Sequence, residues 1–284
     1  MASLTINSTV RLNSGKDIPR LGFGVWDSPA HLTTASCLRA LQVGYRHIDT
    51  AQVYGNEAHV GQALRESGIP REAIFVTTKI LSPGEDEDAT YRKCLDSIEQ
   101  IGGESGYVDL MLIHNAAAGQ RQVQRMWQAM ERLNGEGRIR SIGVSNFGIG
   151  HLTAMKEYAT VWPPAANQLE LHPWCQQPAV SAYCREQGIA LEAYCPLVRN
   201  QKSQDPVVVG LAEKHHTTAT RALIRYSLEK NWIPLPKSDN TERIAQNAGV
   251  FAFQLDADDV RQLDAQDQGA EGALVMAVDN DATD

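Results

Sequence analysis

The feature that most constrains this chain is a rhythm. Short β-like runs recur along it, and most are followed by a stretch with helical periodicity. The runs are "RLGFGVW", "YRHIDTA", "IFVTTKI", "VDLMLIHN", "RSIGVSN", "AANQLELH", "IALEAYCPL" and "WIPLPKS", preceded by a hairpin-like "LTINSTVRLNSGKDIPRLGFG". Between them, 57–67, 90–101, 123–134, 151–158, 178–187 and 219–230 read as amphipathic helices. Strands that alternate with helices pair in parallel and are buried on both faces, which explains why the runs are apolar nearly throughout. About eight such units predict a single closed (β/α)8 barrel of the TIM type with an N-terminal β-hairpin. The competing architecture, an open doubly wound sheet, calls for G-x-G-x-x-G at a first strand–helix turn and an acid about 20 residues on. "LGFG" at 21–24 does not supply it.

No Pro/Ser-rich linker or low-complexity segment divides the chain, so residues 1–284 read as one domain. The small, acidic ending "GAEGALVMAVDNDATD", from about 270, reads as a loosely held tail. Apolar residues at 43% suffice for a large core, and a net charge of −8 offers no global field for nucleic acid or an anionic membrane. The five cysteines are odd in number and scattered, which suits free thiols in a reducing compartment. The first residues carry no basic, then apolar, leader, and no apolar run is long enough to span a bilayer. A cytoplasmic protein is expected. Neither C-x-x-C nor H-E-x-x-H occurs, and no metal site is expected.

In a barrel of this type the C-terminal ends of the strands converge on one face. Those ends would carry Asp49, with Tyr54 in the loop beyond it, then Lys79, His114, Ser145 with Asn146, Gln168 and Tyr194. Each has a bland reading. Asp49 could cap a turn, Lys79 could be a solvated strand end, His114 a satisfied core histidine, and Tyr54 and Tyr194 packed rings. Four such groups on one rim outweigh those single readings.

"GYRHIDTAQVYGNE", "VTTKI", "DLMLIH", "GVSNF" and "IPLPKS…TERIAQN" resemble, in order and spacing, the signature segments of the aldo-keto reductase superfamily, in particular its microbial and fungal NADPH-dependent members. The resemblance implies a (β/α)8 barrel that binds extended NADPH at the strands' C-terminal face and reduces an aldehyde or ketone to an alcohol. It implies a catalytic tetrad of Asp49, Tyr54, Lys79 and His114. Reducing a carbonyl by hydride leaves an alkoxide that needs a proton, and Tyr54 would give it. Lys79 would favour the resulting phenolate, Asp49 would hold Lys79, and a neutral His114 would orient the substrate oxygen.

The resemblance also implies cofactor contacts. Ser145, Asn146 and Gln168 would hold the carboxamide, Tyr194 would stack on the nicotinamide, and Pro196 and Leu197 would follow it. Lys237, Ser238, Asn240, Arg243, Gln246 and Asn247 would meet the adenosine phosphate end, where a helix N-terminus and two cations suit a phosphate. Trp26 is the expected substrate contact beside His114; Val53 is a weaker one, and Trp127 reads as core. Three departures from the family pattern stand out: "HNAAAGQ" lacks the usual proline after His114, Cys195 replaces a serine, and Gln246 replaces a glutamate. A monomer acting on a small carbonyl compound is the expected working form. Two other classes, a nucleotide-binding barrel without chemistry and a metal-dependent hydrolase, are disfavoured by the tetrad and by the scarcity of His/Asp ligands at strand ends.

Overall fold

The computed structural model describes residues 4–283. A two-stranded antiparallel hairpin, β1 (Thr9–Arg11) and β2 (Asp17–Pro19), sets Val10 opposite Ile18. Eight parallel strands follow in sequential order: β3 (Phe23–Gly24), β4 (His47–Asp49), β5 (Phe75–Ile80), β6 (Leu110–Ile113), β7 (Ile142–Ser145), β8 (Ala166–Glu170), β9 (Ala190–Tyr194) and β10 (Ile233–Pro234). The helices are α1 (Ala30–Gln42), α2 (Glu57–Glu66), α3 (Glu87–Gly102), α4 (Gln120–Gly135), α5 (Ile149–Met155), α6 (Pro178–Glu186), α7 (Pro206–Lys214), α8 (Ala219–Glu229), α9 (Thr241–Ala248) and α10 (Ala257–Asp264).

The sheet curls until its ends meet. Gly22 N–H donates to the Pro234 carbonyl at 3.0 Å and Gly24 N–H to the Pro236 carbonyl at 3.1 Å, closing the (β/α)8 barrel. The seam is one-sided for a chemical reason: Pro234 and Pro236 have no N–H to donate back. At Gly24 an added Cβ would stand 3.1 Å from the Leu235 carbonyl oxygen, so the strands close only around a small residue.

The strands appear where the sequence sets them, and the six helical stretches become α2 to α6 and α8 with shifted ends, whereas α1, α7 and α10 lie outside those stretches. α3 starts three residues before the apolar pattern does, because the Asp86 side chain caps it by accepting from Ala89 N–H and Glu87 and Asp88 complement the helix dipole. α1 buries Thr33 and Ser36 on its inner face, which blurs its hydrophobic stripe.

Two apolar regions form. The larger fills the shell between strands and helices, with Val76, Met111, Val144 and Trp127 among its members; Trp127 is fully buried, in agreement with the sequence reading. The smaller, with Leu12, Ile18, Phe75, Leu110, Leu112, Ala166 and Ile233, plugs the barrel's lower interior under the hairpin. Period-2 alternation along each strand explains the split. On β5, Val76 faces the helices, while Phe75, Thr77 and Lys79 face inward.

The acidic ending is not loose. Glu170 at the top of β8 accepts from Leu274 N–H at 2.6 Å, Val275 N–H at 2.7 Å and Met276 N–H at 2.8 Å, and Gln177 accepts from Val278 N–H at 2.8 Å. Composition hides this because the tail is held through its backbone, which every sequence carries. All five cysteines are free. Among the described residues no helix is long and apolar enough to cross a membrane.

Candidate active site

The C-terminal strand ends open into a cavity of about 440 Å³, walled by Trp26, Tyr54, His114, Asn146, Tyr194 and Lys237 among others. At its floor β4 and β5 lie side by side, with Asp49 in register with Thr77 and Lys79 one inward position higher. Lys79 is 1% exposed, and all three of its ammonium protons have an acceptor: Asp49 Oδ1 at 2.6 Å, the Thr50 carbonyl at 2.9 Å and the Tyr54 hydroxyl at 3.4 Å. Burial opposes the lysine's charge, but Asp49 and Tyr54 outweigh it and raise its pKa above the ordinary value. Asp49 is satisfied on both oxygens, since Gln168 Nε2 donates to Oδ2 at 2.8 Å.

Tyr54 ends a short 3-10 turn, and the chain reverses at Gly55 with a left-handed φ of 67°. Burial lifts the phenol above its ordinary pKa, and this outweighs the opposing pull of Lys79. The net shift is upward, so the hydroxyl keeps its proton near neutral pH. The His114 ring meets the Tyr54 ring edge-on at 5.8 Å. Burial first, and Lys79 second, lower its pKa to about 3, so its imidazole is neutral at physiological pH.

Asn146 is tied to its neighbours: its amide donates to the His114 carbonyl at 3.1 Å and its Oδ1 accepts from the Tyr194 hydroxyl at 2.9 Å. Ser145 Oγ donates to the Gln168 carbonyl at 2.9 Å. Tyr194 therefore stands as a fixed aromatic wall. Cys195 adopts a left-handed φ of 51°, and Pro196 and Leu197 continue the wall beyond it. Arg199 reaches over Trp26, its guanidinium 4.8 Å from the ring centroid. The tail adds Val275 to the same cavity.

The predicted adenosine-end residues lie together around the start of α9 but are partly committed elsewhere. Lys237 Nζ pairs with Asp239 at 2.7 Å and donates to the Asp27 carbonyl at 3.1 Å. Asp239 also accepts from Ser28 and Ser36, so it faces α1, and Lys237, Ser28 and Ser36 hold its pKa below the ordinary value against the effect of burial. Asn240 caps α9, accepting from Glu242 and Arg243 N–H, and Ser238 Oγ accepts from Asn240 N–H. Arg243 and Gln246 are exposed on α9 and Asn247 is buried.

Sequence reading missed one group at this floor. Glu192, fully buried on β9, lies beside Gln168 and Asp49. Its signal was present: in "LEAY" it stands two positions before Tyr194, on the same face of the strand. Among the described residues no cluster of His, Cys, Asp and Glu is arranged to hold a metal ion.

Fold and rim together define a barrel oxidoreductase, and comparison with known proteins agrees. The Aldo/keto reductase family matches residues 20–268, and the chain belongs to that family. It is 42% identical over 260 residues to an aldo-keto reductase of Mycolicibacterium smegmatis, covering 92% of this chain and 94% of that one. To the glyoxal reductase of Bacillus subtilis it is 36% identical over 262 residues, covering 92% and 93%. An aldo-keto reductase of Bombyx mori, solved in complex with NADP, superposes with a TM-score of 0.85 at 32% identity, covering 93% and 94%.

Proposed function

We propose that this protein reduces the carbonyl of an aldehyde or ketone to the alcohol with NADPH, using Tyr54 as the proton donor. The observation that carries the reading is the Lys79 ammonium, buried at 2.6 Å from Asp49 and 3.4 Å from the Tyr54 hydroxyl at the floor of an open cavity. A side chain as costly to bury as lysine needs such a reason. The cavity fits the cofactor. It is of the size and apolar character of cofactor sites, it is walled by the hydrogen-bonded Tyr194 ring, and it runs from Asp49 to Lys237.

Bound NADPH supplies the hydride. The protein's own groups do the rest. Neutral His114 donates to the carbonyl oxygen and orients it. Tyr54 gives its proton to that oxygen as the carbon takes the hydride, so carbonyl, NADPH and one proton become alcohol and NADP+. Lys79 stabilises the phenolate left behind, which recovers its proton from solvent, and Asp49 keeps the ammonium in place. Ser145, Asn146 and Gln168 hold the carboxamide, Tyr194 presents one ring face, Pro196 and Leu197 follow the chain of the cofactor, and Lys237, Ser238, Asn240, Arg243, Gln246 and Asn247 receive the adenosine phosphate. Trp26, with Val53, meets substrate. The reading extends to a single-domain monomer in the cytoplasm, and a net charge of −8 supports the further reading that neither nucleic acid nor an anionic membrane is a partner.

The test is the loss of NADPH absorbance on adding a panel of aldehydes and ketones headed by glyoxal. Tyr54→Phe keeps the ring and removes the proton, and is expected to lower turnover roughly 10²–10⁴-fold with NADPH still bound. Near-normal turnover in that variant would remove Tyr54 from the role.

A further inference from the structure

We infer that Glu192 is a positioning residue for this chemistry: its carboxyl, joined to Asp49 through the shared Gln168 amide, sets how strongly the Lys79 charge acts on Tyr54. The inference rests on the reading of Tyr54 as proton donor.

The geometry is that of two acids and one base in a closed space. Glu192 is 0% exposed and Asp49 4%. Gln168 and Glu192 are partners in the β8–β9 register, so their side chains stand next to each other inside the barrel. Gln168 Nε2 reaches Asp49 Oδ2 at 2.8 Å and Glu192 Oε2 at 3.4 Å, and Lys79 gives its short contact to Asp49 alone. The other oxygen of Glu192 lies 3.6 Å from His47 Nε2, outside hydrogen-bond range, and His47 Nε2 bonds Thr77 Oγ1 at 2.9 Å instead. Glu192 Oε1 thus has no hydrogen-bond partner among the described residues.

An ionised carboxylate with one long hydrogen bond and no direct cation is costly in such a place, and a protonated one is not. Lys79 and Asp49 already offset each other, so a second negative charge would be uncompensated. The groups facing Glu192 bear this out. β4 brings His47 and Asp49, β5 brings Lys79 and neutral Thr77, β8 brings neutral Gln168, and β10 sets apolar Ile233 opposite. Burial and Lys79 lower His47 to about 3, so it brings no charge. Burial first, then the Asp49 charge, hold Glu192 well above the ordinary carboxylate range.

The consequence has a definite sign. With Glu192 neutral, Lys79 acts on Tyr54 undiminished. When Glu192 ionises on the alkaline side, the added negative charge disfavours the phenolate and keeps Tyr54 protonated to higher pH. The acid needed for reduction is preserved, and the phenolate base needed for alcohol oxidation is delayed. A core acid that merely filled space would have no such pH signature.

The experiment compares wild type with Glu192→Gln, measuring kcat against pH for NADPH-dependent aldehyde reduction and for NADP+-dependent oxidation of the product alcohol. The neutral amide is expected to move the falling limb of the reduction profile and the rising limb of the oxidation profile to lower pH by up to about one unit, the order that one like charge imposes inside a protein. A second readout is the melting temperature against pH. A folded-state pKa raised above the unfolded one contributes stability below the unfolded value and loses it as pH rises through the folded value. Wild type is therefore expected to lose stability relative to Glu192→Gln between those two values. Superimposable profiles, or a loss of turnover equal at every pH, would overturn the inference. Should Glu192→Gln not fold, Glu192→Met, neutral and of similar volume, carries both readouts; if neither folds, the acid is structural and the inference fails. If Tyr54→Phe retains turnover, the underlying reading falls. If Tyr54→Phe loses it while the Glu192→Gln profiles match wild type, only this inference does.

Discussion

The two ends of this barrel each hold a carboxylate, a cation and a tyrosine, and they use them in opposite ways. At the upper end Lys79 aims its ammonium at Asp49 and at the Tyr54 hydroxyl, at the floor of an open cavity. At the lower end the guanidiniums of Arg71 and Arg140 lie over the face of the Tyr107 ring, at 4.2 and 3.6 Å from its centroid, and both pair with Asp109. The Tyr107 hydroxyl has no hydrogen-bond partner among the described residues. Arg71 instead binds the Ile74 and Tyr107 carbonyls, and Asp109 accepts from Val76 N–H, so the lower cluster ties strand beginnings together through backbone. Residue types therefore do not tell chemistry from stapling. What separates them is whether the cation addresses the phenol's oxygen or its ring, because a cavity stands at both ends, about 440 Å³ above and about 380 Å³ below, the lower one lined by Asp109 and Arg140.

Breaking the upper pair is expected to have the largest effect. Lys79→Met should lower turnover roughly 10²–10⁴-fold or more. It should also cost stability, about 3–5 kcal/mol, because Asp49 is left buried without its cation. Urea unfolding beside steady-state rates would measure both. Next comes the outer part of the upper end. Arg243→Ala should reduce NADPH affinity about tenfold to a hundredfold, the worth of one charge-assisted contact, and NADH use far less. Equal loss with both cofactors would place the 2′-phosphate elsewhere.

The lower end sharpens the contrast. Arg71→Met should cost about 1–3 kcal/mol of stability, since Asp109 keeps Arg140 and the Val76 amide, and leave kcat as it was. A fall in kcat without a fall in stability would mean that the two ends are coupled. Smaller still, Tyr107→Phe should change melting temperature and turnover hardly at all, because the hydroxyl it removes has no partner. The last expectation is a missing feature. With His114 lowered to about 3, the reductase pH profile should show no limb from an imidazole between about pH 5 and 8. A limb there that disappears in His114→Gln would overturn the neutral-histidine assignment.

Much of this was legible in the chain. Alternating strand and helix periods carry the barrel, because they record which face of each element meets its neighbour, and that is a local property. Asp49, Tyr54, Lys79 and His114 could be placed on one rim because strand ends share a face in such a barrel. The tail was not legible, and Glu192, although its strand position sets it on the inner face, gave no sign of the partners it meets. Leu274, Val275 and Met276 are held through their N–H groups by Glu170, more than 100 residues earlier, and nothing in their side chains announces it.

The sequence by itself determined the architecture and the residue types at the rim, since periodicity and strand-end position need no knowledge of distant contacts. Only the tertiary structure decided which charges meet. Closure of the barrel brings Gln168 to Asp49 across 119 positions and sets Glu192 beside both. Removing water from that space makes one acid hold its proton while the other stays paired, for the free energy of a buried charge depends on its neighbours in three dimensions.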